Sequence, residues 1–195
     1  MKIKRFFPTP VGYVSNVDQT NLILKLCHNI ANEIDKNKDL DYISSYKYPK
    51  FTQTILDHSR AEPFKEYINQ FIRKIGFQSP SNIKYDFWVV RMNETITSQP
   101  TLNHPNHIIS GIAYLNTGDD FSPLVIEDPR DIRYYNTIRS EAEFDENKAT
   151  TDNLKEITFH PKRGDIFIWE SWLKHRIELS NNTEQLMLII NAYNG

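Results

Sequence analysis

The stretch Phe159-His160-Pro161-Lys162-Arg163-Gly164-Asp165-Ile166-Phe167-Ile168-Trp169-Glu170-Ser171-Trp172-Leu173-Lys174-His175 decides the fold. Its apolar and aromatic residues come in short runs, over 157–159, 165–170 and, past its end, 175–179. Short runs rich in β-branched and aromatic side chains, separated by polar breaks, read as strands. The same texture begins at Ile83 and runs through residues 85–91, 108–116 and 124–127, and it returns over 186–193. Asn116-Thr117-Gly118-Asp119-Asp120 and Asp128-Pro129-Arg130 have turn chemistry. Residues 131–156 are polar and irregular, a surface excursion of the kind that often covers an active site.

Upstream the texture is helical. Residues 6–14 read as an extended opening strand whose prolines suit a sheet edge. Asp18 is an expected N-cap, and Leu22, Leu26, Ile30 and Ile34 then form one apolar stripe. Residues 35–48 are polar and read as a loop. A second helix is expected over 63–75, with Phe64, Ile68, Phe71, Ile72 and Ile75 on its apolar face and Gly76 past its end. Helices followed by about eight short strands predict a mainly β fold with flanking helices. The expected architecture is a jelly roll, a cupin-like double-stranded β-helix with its N-terminal helices packed on one sheet. The chain reads as one domain over 1–195, with an opening strand and supporting helices in 1–82 and the β-helix core in 83–195.

The composition is that of a globular protein: 195 residues, 39% hydrophobic and 25% charged. A net charge of −2 gives no electrostatic case for nucleic acid or an anionic membrane. No apolar stretch approaches a membrane span of about 20 residues. The basic start Met1-Lys2-Ile3-Lys4-Arg5 is followed by no apolar signal region. The single cysteine, Cys27, lies in the first helical pattern and reads as a core thiol. A cytoplasmic location is the expectation.

Chemistry points to two places. His104-Pro105-Asn106-His107 precedes the strand at 108–116, and His175 ends the stretch quoted above. Two imidazoles near strand ends in a small barrel could converge on a metal, and neutral imidazole suits iron, zinc, copper or nickel. A mononuclear iron site needs a third protein ligand on the same face. His107 is the candidate, brought round by a Pro105-Asn106 turn; a partly exposed histidine at a strand start is the plainer account. His28 and His58 have no supporting pattern and read as structural. Trp169 and Trp172 flank His175 and could stack a planar substrate or pack the barrel end. Asp128-Pro129-Arg130 could clamp a substrate or form a local ion-paired turn.

The quoted stretch resembles the run F-x-P-x-x-G-x-hydrophobic-F-P-S-W-L-x-H of one oxygenase family. Residues 102–115 resemble that family's H-x-H-P-x-x-x-x-S-G-V-Y-Y-L, residues 124–130 its L-x-F-x-D-P-R, and residues 185–191 its R-I-S-I-A-F-N. Phe7-Pro8-Thr9-Pro10 is similar to the family's start. This is the 2-oxoglutarate/iron(II)-dependent oxygenase family of bacteria and their viruses, distantly related to prolyl hydroxylases. The resemblance implies iron(II) and 2-oxoglutarate as cofactors. It places His175 on the distal iron histidine and His104 on the second residue of the H-x-H pair. It places Tyr114 on a tyrosine lining the co-substrate pocket. Two positions depart from the pattern. The first residue of the H-x-H pair falls on Leu102, which has no metal-binding atom. The arginine that grips the co-substrate carboxylate falls on Gln185, whose neutral amide is a weaker donor than a guanidinium. Arg91, Arg130 and Arg176 are candidate replacements for it.

Three functions follow. The first is a 2-oxoglutarate/iron(II)-dependent hydroxylase with an atypical metal and co-substrate site, acting on a small molecule or a protein side chain. Its metal ligands would be His104 and His175, with His107, a carboxylate not identified in the sequence or water completing the set; its co-substrate contacts would be Tyr114 and Gln185, and its substrate contacts Trp172 and Arg130. The second is a catalytically silent relative serving as a small-molecule or protein binding module. The third is a structural jelly roll whose helices mediate assembly.

Overall fold

The computed structural model describes residues 10–36, 40, 42–77, 82–92, 101–115, 122–127, 156–178 and 184–195. Among these, nine strands and three α-helices form a mainly β architecture. The strands are β1 (Val11–Ser15), β2 (Tyr42–Ser44), β3 (Ile83–Met92), β4 (Ile109–Tyr114), β5 (Leu124–Glu127), β6 (Glu156–Phe159), β7 (Asp165–Glu170), β8 (His175–Ile177) and β9 (Gln185–Asn194). The helices are α1 (Val17–Asp35), α2 (Pro49–Asp57) and α3 (Glu62–Lys74). One sheet runs β1-β7-β4-β9-β3-β2 and the other β6-β5-β8. The pairings within both are antiparallel, as the jelly-roll expectation requires.

Strand alternation builds two cores from the large sheet. Leu186, Leu188, Ile190 and Ala192 of β9 join one cluster with Ile23, Cys27, Phe64 and Ile68 of the helices. Met187 and Ile189 point the other way and join Trp88, Tyr114, Phe167, Leu124 and Ile126 between the sheets. Each large apolar side chain buried in this way contributes about 1.5–3 kcal/mol. Gly111 of β4 sits where two layers meet. A Cβ there would lie 2.6 Å from the Phe167 carbonyl and 2.9 Å from Ile190 Cγ1.

Several local expectations need correction. The N-cap of α1 is Asn16, whose Oδ1 accepts from Gln19 N at 3.0 Å, and Asp18 lies in the first turn instead. The buried face of α1 is Thr20, Ile23, Cys27, Ile30 and Ala31, whereas Leu22 is exposed. The supposed loop at 35–48 contains β2 and a 3₁₀ turn (Ser45–Lys47), and α2 follows. Ser110 and Gly111 lie inside β4, within the strand expected over 108–116. The second expected helix is α3, and Gly76 past its end has φ +96°. Most of the 131–156 excursion and all of residues 1–9 lie outside the described residues.

Candidate functional site

The site forms where two segments are zipped together. Leu102 N donates to the His175 carbonyl at 2.8 Å, and His175 N donates back to Leu102 O at 2.9 Å. His104 N donates to Ser171 O at 3.0 Å, and Ser171 N donates to Ile108 O at 3.1 Å. The Ser171 hydroxyl also donates to the His107 carbonyl. A Pro105-Asn106 turn closes as His107 N donates to His104 O at 2.9 Å. These bonds set His104 and His175 ring to ring, with centroids 5.2 Å apart.

Both imidazoles are held neutral. Burial pushes His104 down to about 4, reinforced by His175 and then His107. Burial lowers His175 as well, partly opposed by its bond to the Leu173 carbonyl. His175 Nδ1 lies 3.1 Å from that carbonyl, so Nδ1 carries the proton and Nε2 keeps its lone pair. His107 has a different partner: its Nε2 lies 3.4 Å from Asp86 Oδ2, and its ring packs against Tyr193 and Trp88.

Around these histidines lies a pocket of about 350 Å³. One wall is an arc of rings. Tyr46 and Trp88 have centroids 4.9 Å apart, Trp88 and His104 5.9 Å, and His175 and Trp169 4.8 Å. The floor is a polar row across the large sheet. Trp169 stands opposite Ser110, and Asn191 opposite Asp86. The pairs Ile109–Ala192 and Ile112–Ile189 bring Ser110 level with Asn191. Ser110 Oγ, Trp169 Nε1 and both amide atoms of Asn191 are buried without a hydrogen-bond partner among the described residues.

The next rows inward are apolar. Phe167, Ile112, Ile189 and Trp88 cross the sheet first, then Tyr114, Met187 and Val90. Gln185 lies beyond them, opposite Met92. Its Nε2 donates to Ser122 Oγ at 2.8 Å, and its Oε1 accepts from Ser122 N at 3.0 Å. Tyr114 is fully buried, edge-on to Phe167, and burial raises its phenol. The pocket lining includes Val90, Ile112 and Ile189 but neither Tyr114 nor Gln185.

The other expected residues scatter. Trp172 is exposed and does not line the pocket, whereas Trp169 is buried and does. Arg130 lies outside the described residues. Arg91 reaches the opposite face of the sheet, where it pairs with Asp35 and donates to Asn32 Oδ1 at 2.8 Å. Arg176 lines the pocket, but Glu156 binds it bidentately at 2.9 and 3.1 Å, Glu178 lies at 2.9 Å and Glu127 at 3.7 Å. Trp88, Ser110 and Asn191 were not expected. Their signal is a polar or aromatic residue on the inward register of a strand, which becomes visible only once the register is known.

Among the described residues the donor set does not complete an iron site with three protein ligands: no three His, Cys, Asp or Glu side chains are grouped to hold a metal. His104 and His175 meet, Leu102 takes the place beside them, and His107 turns to Asp86. A dicarboxylate reaching Gln185 would have to cross two apolar rows and would find an amide already bonded to Ser122.

The fold is a jelly roll in which His104 and His175 meet at the pocket. A family model described as "Putative 2OG-Fe(II) oxygenase" matches residues 86–189, and the chain belongs to that family. AviO1 from Streptomyces viridochromogenes Tue57 is 11% identical, with TM-score 0.58, and the match covers 95% of this chain and 90% of that one. A Pseudomonas putida prolyl-4-hydroxylase is 11% identical, with TM-score 0.53, over 96% and 94%. A 2OG-Fe(II) oxygenase family oxidoreductase from Burkholderia pseudomallei is 12% identical with TM-score 0.47, and the match covers 73% of this chain and only 57% of that protein. No curated protein matches. Among the described residues no helix is long and apolar enough to cross a membrane.

Proposed function

We propose that this member of the oxygenase family is a catalytically silent relative whose pocket binds a small molecule. The observation that carries the reading is Leu102. It pairs directly with His175, and its isobutyl side chain lines the pocket where the family pattern has a histidine. The engaged Gln185 amide and the apolar rows in front of it support the same reading. In place of the inward Arg, Ser and Ala of the family's last strand stand Gln185, Met187 and Ile189, which leave less room and no charge.

One observation favours the hydroxylase reading. The Leu173 carbonyl orients His175 so that Nε2 keeps a lone pair, as metal-ligating histidines require. The two readings separate in an anaerobic titration with iron(II) and then 2-oxoglutarate, followed by visible absorbance. The silent reading expects no charge-transfer band and no retained metal. A band that His104→Ala and His175→Ala both abolish would overturn it in favour of an iron- and 2-oxoglutarate-dependent hydroxylase.

A further inference from the structure

Among the described residues, the floor of the pocket gathers buried polar atoms that nothing in the fold satisfies. Four side-chain polar atoms, on Ser110, Trp169 and Asn191, are buried there without a partner among the described residues. Leaving a buried donor or acceptor unpaired costs about 1–3 kcal/mol. A fold that carries several in one row, level across three strands, sets them for something that enters the pocket. Their chemistry is mixed. The indole N–H only donates, the hydroxyl does both, and the carboxamide offers a donor and an acceptor side by side.

The charge lining the pocket argues against an anion. Arg176 is the one Lys or Arg among its described lining residues, and three carboxylates already surround it. Asp86, next in line after Asn191, adds a negative charge beside His107. The wall above the floor consists of rings, from Tyr46 through Trp88, His104 and His175 to Trp169. A flat group fits between such rings by stacking or edge contact.

We infer that the pocket takes a neutral, planar, amide-bearing ligand, with its ring against the aromatic arc and its amide on Ser110, Asn191 and Trp169 Nε1. This deepens the proposed binding role and rests on it. An amide edge supplies both an acceptor for the indole and hydroxyl and a donor for the Asn191 carbonyl. A carboxylate of the same shape loses the donor and brings a charge that no cation among the described lining residues is free to meet.

The test compares shape-matched probes: nicotinamide and benzamide against nicotinate and benzoate, with 2-oxoglutarate as a dianion. The readout is the indole N–H resonance of Trp169 in the full chain, assigned by its absence in Trp169→Phe. The expected result is saturable shifts with the amides, at least about tenfold tighter than with the carboxylates. Ser110→Ala, which adds no bulk, weakens the amides about three- to tenfold. Asn191→Leu abolishes the preference, provided its unfolding midpoint shows that it folds. Benzoate binding as well as benzamide, or Ser110→Ala binding like the parent, would overturn the ligand assignment alone. A Trp169 shift with 2-oxoglutarate in the absence of any amide response would overturn this inference, whereas only the charge-transfer band of the iron(II) titration would overturn the silent reading.

Discussion

Leu102 and His175 exchange both backbone hydrogen bonds, at 2.8 and 2.9 Å, so they are directly opposed residues of an antiparallel pair. Opposed residues project their side chains to the same face. A donor at position 102 would therefore stand beside the His175 imidazole, with His104 two residues along the same segment. Leu102→His is expected to create a metal site that the parent lacks. Cobalt(II) titration, followed by absorbance, should show binding at least about tenfold tighter in the variant, ~1.4 kcal/mol. An unchanged affinity would mean that the two histidines do not converge with position 102.

Acid should act first through the histidine pair. Burial holds His104 at about 4 and lowers His175 too, whereas an unfolded histidine titrates near ~6.5. As pH falls below the unfolded value, the unfolded chain binds protons that the folded chain does not, so stability falls. The effect is absent above about pH 7 and grows as pH falls below about 6.5, for His104 down to about pH 4, by at most ~1.4 kcal/mol per pH unit for each group. Urea unfolding midpoints at pH 7 and 5 measure it. The depressed carboxylates of Glu33, Asp35 and Glu66 contribute at lower pH, and their stabilisation is lost as pH falls through their folded values. His104→Asn should flatten the drop above pH 5. An equal drop in the variant would assign it to other groups.

How much of this was legible in sequence depended on whether the signal was local. The strands from Ile83 onward were, because alternation writes both faces of a sheet into one segment. On α1 the stripe holds for Leu26, Ile30 and Ile34, which pack on the core, but not for Leu22, because a strict spacing of four drifts around a 3.6-residue helix. Ile23 is fully buried where Leu22 had been expected. The strand β2 is three residues long and gains its identity from pairing with β3. His104, His175 and the departure at Leu102 were legible as motif positions. The polar floor was not, since an inward Ser110 or Asn191 looks like ordinary outward alternation. The Gln185–Ser122 bonds span 63 residues and leave no local trace.

Gly111→Ala tests the packing beneath the floor. The added methyl would meet a backbone carbonyl at 2.6 Å, and neither β4 nor β7 can yield without moving the Ser110–Trp169 pair. Overpacking of this kind costs about 1–3 kcal/mol. Thermal unfolding should show the loss, and amide binding at the Trp169 indole should weaken with it. Full stability in the variant would mean that the strands are further apart.

Restoring the arginine should not by itself restore co-substrate binding. In Gln185→Arg the guanidinium would be buried beside Ser122, behind Met187 and Ile189, with the cavity still ending in front of it. Exchanging the Ser122-bonded amide for a buried guanidinium carries a desolvation cost of several kcal/mol, so this variant is expected to be destabilised. Calorimetry should detect no 2-oxoglutarate binding to it. Adding Met187→Ser and Ile189→Ala removes side chains from both apolar rows and opens the path, while Ile189→Ala alone costs about 2–5 kcal/mol as a core cavity. Weak 2-oxoglutarate binding by the triple variant, absent from Gln185→Arg, would locate the block in those rows. Binding by the single variant would show that the missing charge, and not the filled barrel, is what separates this pocket from one that takes a dicarboxylate.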